Sequence, residues 1–136
     1  MQNLEQLRAA AALKFWHANK DANKGDDDGK IVQKLPALVM SNGLLATAAF
    51  AKSKSKVDER GKYQESNHEQ ILRNVLAAHV PQVLPAALTL PPGFIEGERT
   101  DLDRAIRALV NGTSIQLQQV TAEALAYLGY LKRFAP

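Results

Sequence analysis

Apolar residues recur at helical spacing along most of this chain, and no stretch of useful length alternates apolar and polar residues with period two. That pattern confines the fold to packed helices. Its clearest instance runs from Val32 to Ala51, where two short apolar segments meet at Ser41-Asn42-Gly43. The spacing predicts a helix over 30–41 with Ile31, Val32, Leu35, Leu38 and Val39 on its apolar side. Pro36 lies inside it and removes one backbone hydrogen bond. Asn42-Gly43 is a good stop, because both residues tolerate the left-handed backbone that commonly ends a helix. A second helix restarts over 44–54, with Leu44, Leu45, Ala48 and Ala51 inward.

The same reading extends to both ends. A first helix is expected over 4–20, capped by Asn3 with Gln6 as the return partner. Leu4, Leu7, Ala11, Phe15 and Ala18 share one face, which leaves Leu13 and Trp16 pointing outward as a candidate partner contact. The segment 52–64, rich in Lys and Ser, is expected to be a mobile loop. Ser66 caps a helix over 67–80, with Ile71, Leu72, Val75 and Leu76 inward and His68-Glu69 exposed in the first turn. Pro81, Pro85 and Pro91-Pro92-Gly93 then break the chain. Thr100 with Asp103 starts a helix whose stripe is Leu102, Ala105, Ile106, Leu109 and Val110, with Arg104 and Arg107 opposite. Thr113 with Gln116 starts the last, reaching about Arg133 with Leu117, Val120, Ala124, Leu128 and Leu131 inward. The expected fold is all-α: a compact single-domain bundle of five to six helices over residues 1–136, with largely antiparallel neighbours.

Chemistry is harder to find. There is no cysteine, which removes disulfides and thiolate metal sites. No basic-then-apolar leader opens the chain, and no apolar run approaches the ~20 residues a membrane span needs, so the expected location is the cytoplasm. His68-Glu69 begins like a zinc-protease motif, but Leu72 stands where the second histidine belongs. Asp26-Asp27-Asp28 lacks the spacing of a calcium loop and reads as a solvated acidic turn. His79 is expected to be a hydrogen-bonded packing residue. No catalytic residue, metal site or cofactor is expected.

The basic residues remain. The net charge of +3 equals the excess carried by residues 52–62 alone, where Lys52, Lys54, Lys56, Arg60 and Lys62 face Asp58 and Glu59. Lys30 and Lys34 share a helix face. Cations grouped this way suit the repeating charges of a nucleic-acid backbone. Aromatic residues are few and only Tyr63 falls within the basic window, so backbone tracking is expected rather than base readout. The competing expectation is a protein-only helical interaction module, with Trp16 and Leu13 as its contact.

The pattern K-L-P-A-L-x-x-x-N-G-L-L-x-T-x-A-F at Lys34–Phe50 resembles the signature of the small subunit of Cmr-type (type III-B) CRISPR RNA-guided effector complexes. Residues 123–135, E-A-L-A-Y-L-G-Y-L-K-R-F-A, resemble that family's C-terminal helix. The resemblance implies a noncatalytic helical subunit acting in antiviral defence. Its partners would be the backbone and large subunits, further copies of itself in a stack, and the crRNA and target RNA. It points to Lys34, Lys132 and Arg133 as RNA contacts; Lys30, Lys52, Lys54 and Lys56 rest on charge and helix phase.

Overall fold

The structure is a computed structural model that describes residues 2–19 and 30–134, with Lys30 described by its backbone only. The acidic turn expected at 26–28 lies outside the described residues. Among those residues the chain forms six helical runs and one two-stranded ribbon. They are α1 (Leu4–Ala18), α2 (Lys30–Asn42), α3 (Leu44–Ser53), the strands β1 (Lys56–Val57) and β2 (Tyr63–Gln64), α4, α5 (Asp101–Asn111) and α6 (Ser114–Phe134). The α4 run is composite: an α-helix over Asn67–Arg73, a π-helical stretch over Asn74–His79 and a last α-turn over Val80–Val83.

The capping residues do what their chemistry predicts. Asn3 Oδ1 accepts the Gln6 N–H at 2.8 Å and Gln6 Oε1 accepts the Asn3 N–H at 2.9 Å. Thr113 and Gln116 make the same reciprocal pair at the start of α6. Gly43 separates α2 from α3 at φ +92°, a backbone that L side chains rarely adopt. The π-helical stretch ends just before Pro81, which has no N–H to offer, and the Val80 N–H reaches back five residues to the Val75 carbonyl.

One core joins the helices. Val32 and Leu35 of α2, Ala48 and Ala51 of α3, Ile71, Leu72, Val75 and Leu76 of α4, Leu102 of α5 and Leu128 and Leu131 of α6 are all fully buried. α6 packs on α1 and on α2. It runs opposite to α4: Gln116 reaches the Ala86 carbonyl beyond α4, Glu123 meets His79, and Tyr127 meets Asn74.

Four expectations change. First, Trp16 is not outward: it is 8% exposed and belongs to the core with Ala12 and Phe15. The buried face of α1 is rotated from the expected stripe because residues 9–12 are all alanine and give no contrast between sides. Leu7 and Leu13, at 36% and 41% exposure, mark the outer side instead. Second, the expected loop after α3 contains an antiparallel ribbon, Lys56 opposite Gln64 and Val57 opposite Tyr63. Third, Glu69 is fully buried rather than an exposed cap partner. Fourth, Val110 is 63% exposed, so the α5 stripe is narrower than its apolar pattern.

The Pro- and Gly-rich crossing before α5 is fastened by the two arginines expected on the open side of that helix. Arg104 donates to the Pro91 carbonyl at 2.7 and 2.9 Å. Arg107 reaches the Gly93 carbonyl at 2.8 Å and pairs with Glu98.

Candidate nucleic-acid interface

The basic window folds as a tight hairpin. Asp58 closes its turn: the carboxylate accepts the N–H groups of Arg60 and Lys62, both at 2.9 Å, and the Gln64 amide at 3.0 Å. These donors hold its pKa below the usual carboxylate value, the Lys62 N–H contributing most. Gly61 takes the positive φ that the turn needs, +81°. The carboxylate is thereby turned onto its own backbone, while Lys54, Lys56, Arg60 and Lys62 remain exposed. None of these four makes an ion pair with an acidic side chain among the described residues.

A buried carboxylate anchors the hairpin. Glu69 Oε1 accepts from Ser55 Oγ at 2.6 Å and from the Tyr63 hydroxyl; Oε2 accepts from Lys52 Nζ at 2.9 Å and from the Thr100 hydroxyl. Burial alone would push this carboxyl up, but the donors from Ser55, Thr100, Tyr63 and Lys52 outweigh it and hold the group ionised, below its ordinary value. One carboxylate thus ties together α3, both ends of the hairpin, α4 and the start of α5.

Lys52 is accordingly removed from the RNA-contact set. Its ammonium has three donors. They go to the Tyr63 hydroxyl at 2.8 Å and to Glu69 and Asp103 at 2.9 Å each, so none remains for a phosphate. Burial acts against its charge, but those three partners raise its pKa above the ordinary lysine value. Among the other expected contacts, Lys54 and Lys56 flank the root of the hairpin and are brought together with Arg60 and Lys62. Lys34 is exposed on α2, and Lys132 and Arg133 are exposed at the end of α6, so these three belong to a different pair of packed helices. The Lys30 side chain lies outside the described residues. Arg133 lies 5.7 Å from the Tyr130 ring centre.

Arg60 and Lys62 join the expected contacts through the turn Asp58-Glu59-Arg60-Gly61 between Val57 and Tyr63, a hairpin signal that charge counting does not use. Phe50 is a further residue that the charge pattern does not single out. The ring is 40% exposed, lies outside the core cluster, meets the His68 ring edge-on at 5.5 Å, and carries Lys54 Nζ over its face at 5.1 Å.

A second ionic group lies in the interior. Arg8 clamps Glu123 with two bonds of 2.7 Å, and His79 Nε2 shares Glu123 Oε2 at 2.9 Å. Burial drives the His79 pKa down, and the Glu123 partner offsets only part of that. The His79 ring lies against Tyr127, centroids 4.4 Å apart. A groove of about 500 Å³ beside Arg8 and Glu123 is otherwise lined by the 83–87 segment, Leu4, Gln119 and Ala122. Its two charges are matched to each other, which is the arrangement of a structural pair.

A family model described as CRISPR-associated protein (Cas_Cmr5) matches residues 4–136. The chain belongs to that family. It is therefore a small subunit of a Cmr-type, type III-B CRISPR effector, as the motif at Lys34–Phe50 implied. No solved structure matches the chain. No helix among the described residues is long and apolar enough to cross a membrane.

Proposed function

We propose that this Cmr-type small subunit is a noncatalytic, cytoplasmic component of the effector that packs along the crRNA–target RNA duplex and helps to hold target RNA in antiviral defence. The observation that carries the reading is the pinned hairpin: four exposed cations on a short, braced segment whose Asp58 carboxylate is bound internally, leaving Glu59 as its one exposed acid. Such a surface suits sequence-tolerant phosphate contacts. Lys34, Lys132 and Arg133 supply further cations on the α2 and α6 side, and Lys30 is kept with them on sequence grounds. The outer side of α1, with Leu7 and Leu13, is the proposed contact for a neighbouring subunit or a further copy in a stack.

The test is RNA affinity across a salt series, on the isolated chain and on the assembled complex. Replacing Lys54, Lys56, Arg60 and Lys62 together by Gln should weaken binding and lower the slope of log affinity against log salt by up to about 3 units on single strands. Copies aligned on one strand should strengthen the effect through multivalency. An unchanged slope in the assembled complex would overturn the RNA reading and leave the protein-only interaction module, centred on the outer side of α1.

A further inference from the structure

We propose that the Phe50 ring is a stacking platform for an unpaired nucleobase of RNA, with Lys54 and the hairpin cations holding the phosphates on either side of it. The proposal rests on the RNA reading above and adds a base contact where that reading has only backbone contacts.

The placement is specific. Phe50 lies on the last turns of α3, outside the core cluster and 40% exposed, so part of the ring is open to solvent. The His68 ring stands perpendicular to it at 90°, with centroids 5.5 Å apart, and helps to fix the orientation of the Phe50 ring. Lys54 Nζ sits over the ring at 5.1 Å from its centre, which shows that a partner can approach from that side. The hairpin begins two residues later, so the ring and the exposed cations of Lys54, Lys56, Arg60 and Lys62 belong to one continuous stretch of chain. That stretch is anchored through Lys52 and Ser55 to Glu69.

The chemistry selects the ligand. Lys54, Lys56, Arg60 and Lys62 beside the ring make no ion pair with an acidic side chain among the described residues, so a partner that covers Phe50 gains by bringing negative charge. A nucleotide brings both complements, a flat π-face for the ring and a phosphate for the ammonium. On binding, the base takes the place of Lys54 over the ring, and the lysine, on its flexible stem, swings to the adjacent phosphate. Stacking of this kind is indifferent to base identity, in keeping with a subunit that meets many target sequences.

The experiment uses the full-length chain and two fluorescent probes, a uridine-rich RNA oligonucleotide and the same backbone made abasic. Phe50→Ala should weaken binding of the intact oligonucleotide by about tenfold, leave the abasic one unaffected, and leave the salt slope unchanged, because no cation is removed. Phe50→Trp should bind the intact oligonucleotide at least as well as the natural chain. The ring is 40% exposed and otherwise covered, so Phe50→Ala should lower the thermal midpoint modestly and Phe50→Trp should keep it, and binding is measured well below both midpoints. Wild-type affinity in Phe50→Ala with the salt slope intact would overturn the platform and leave the phosphate contacts standing. Equal losses on the intact and abasic probes, or failure of Trp to restore binding, would make Phe50 a structural residue and overturn it too. Absence of any salt-dependent binding in the natural chain would remove the RNA reading and the platform together.

Discussion

Lys52 and Lys54 are two residues apart, share a side-chain type and sit in the same basic window, yet their surroundings are opposite. Lys52 is bound by two carboxylates and a phenol; Lys54 leans on an exposed ring. Charge counting treats them alike, and only the fold separates them. Lys52→Met should therefore cost about 3 kcal/mol, near the low end for breaking a buried pair, because Lys52 is partly open to water and Ser55, Tyr63 and Thr100 still reach Glu69. Lys54→Met should stay within about 0.5 kcal/mol of the natural chain. Equilibrium urea unfolding of both variants checks the contrast; similar midpoints would mean that the Glu69 cluster contributes little. Trp16→Ala belongs to the same scale. A core aromatic truncated to alanine should lose about 3–5 kcal/mol, and a loss below 1 kcal/mol would return Trp16 to the surface.

Among the elements, the helices were readable and the ribbon was not. Asn3, Ser66 and Thr113 announced three helix starts because a cap needs only a local side chain and the next few N–H groups. The ribbon has two residues in each strand, too few to show an alternating pattern, although its turn was legible in Asp58 and Gly61. α1 shows a different failure: its position was clear but its rotation was not, since alanines at 9–12 suit either side. The candidate site was half visible for related reasons. Lys54 and Lys56 stood out by charge, whereas Glu69 and Glu123, which look like surface residues in a helical pattern, are buried by partners distant in sequence. Thr100 and Lys52 meet Glu69, and Arg8 meets Glu123, across separations that no local pattern records.

The molecule as a whole carries its buried charges so that acid works against it. Glu69, Asp103 and Glu123 have pKa values below their ordinary ones: burial opposes this in each, and their hydrogen-bond and ionic partners overcome it. Their contribution is full above about pH 4.5, the unfolded value for glutamate, and is lost as pH falls through the lower folded values. His79 acts in the same direction at higher pH. Burial lowers its folded pKa below 6.5, so in that window the unfolded chain takes up a proton that the folded chain refuses. Stability should be level near neutrality, begin to decline as pH drops below about 6.5 and fall more steeply below about 4.5. Urea midpoints measured from pH 8 to pH 4 give the curve. A flat profile between pH 7 and pH 5 would show that His79 accepts its proton without penalty.

The hairpin has one more consequence. A segment containing Lys54, Lys56, Arg60 and Lys62 is a row of trypsin sites on the outside of the protein. A protease needs several residues of extended, detached chain, and this segment is cross-tied by the ribbon and by the Ser55 and Tyr63 bonds to Glu69. Cutting there should follow the rate at which the ties open rather than the number of sites. Brief digestion should leave residues 54–62 of the natural chain uncut, while in Glu69→Gln, which removes the charge that gathers the ties, this stretch should be clipped early. The residues that make the surface attractive to a polyanion thus make it an easy target for a protease, and a single glutamate keeps the second outcome in check.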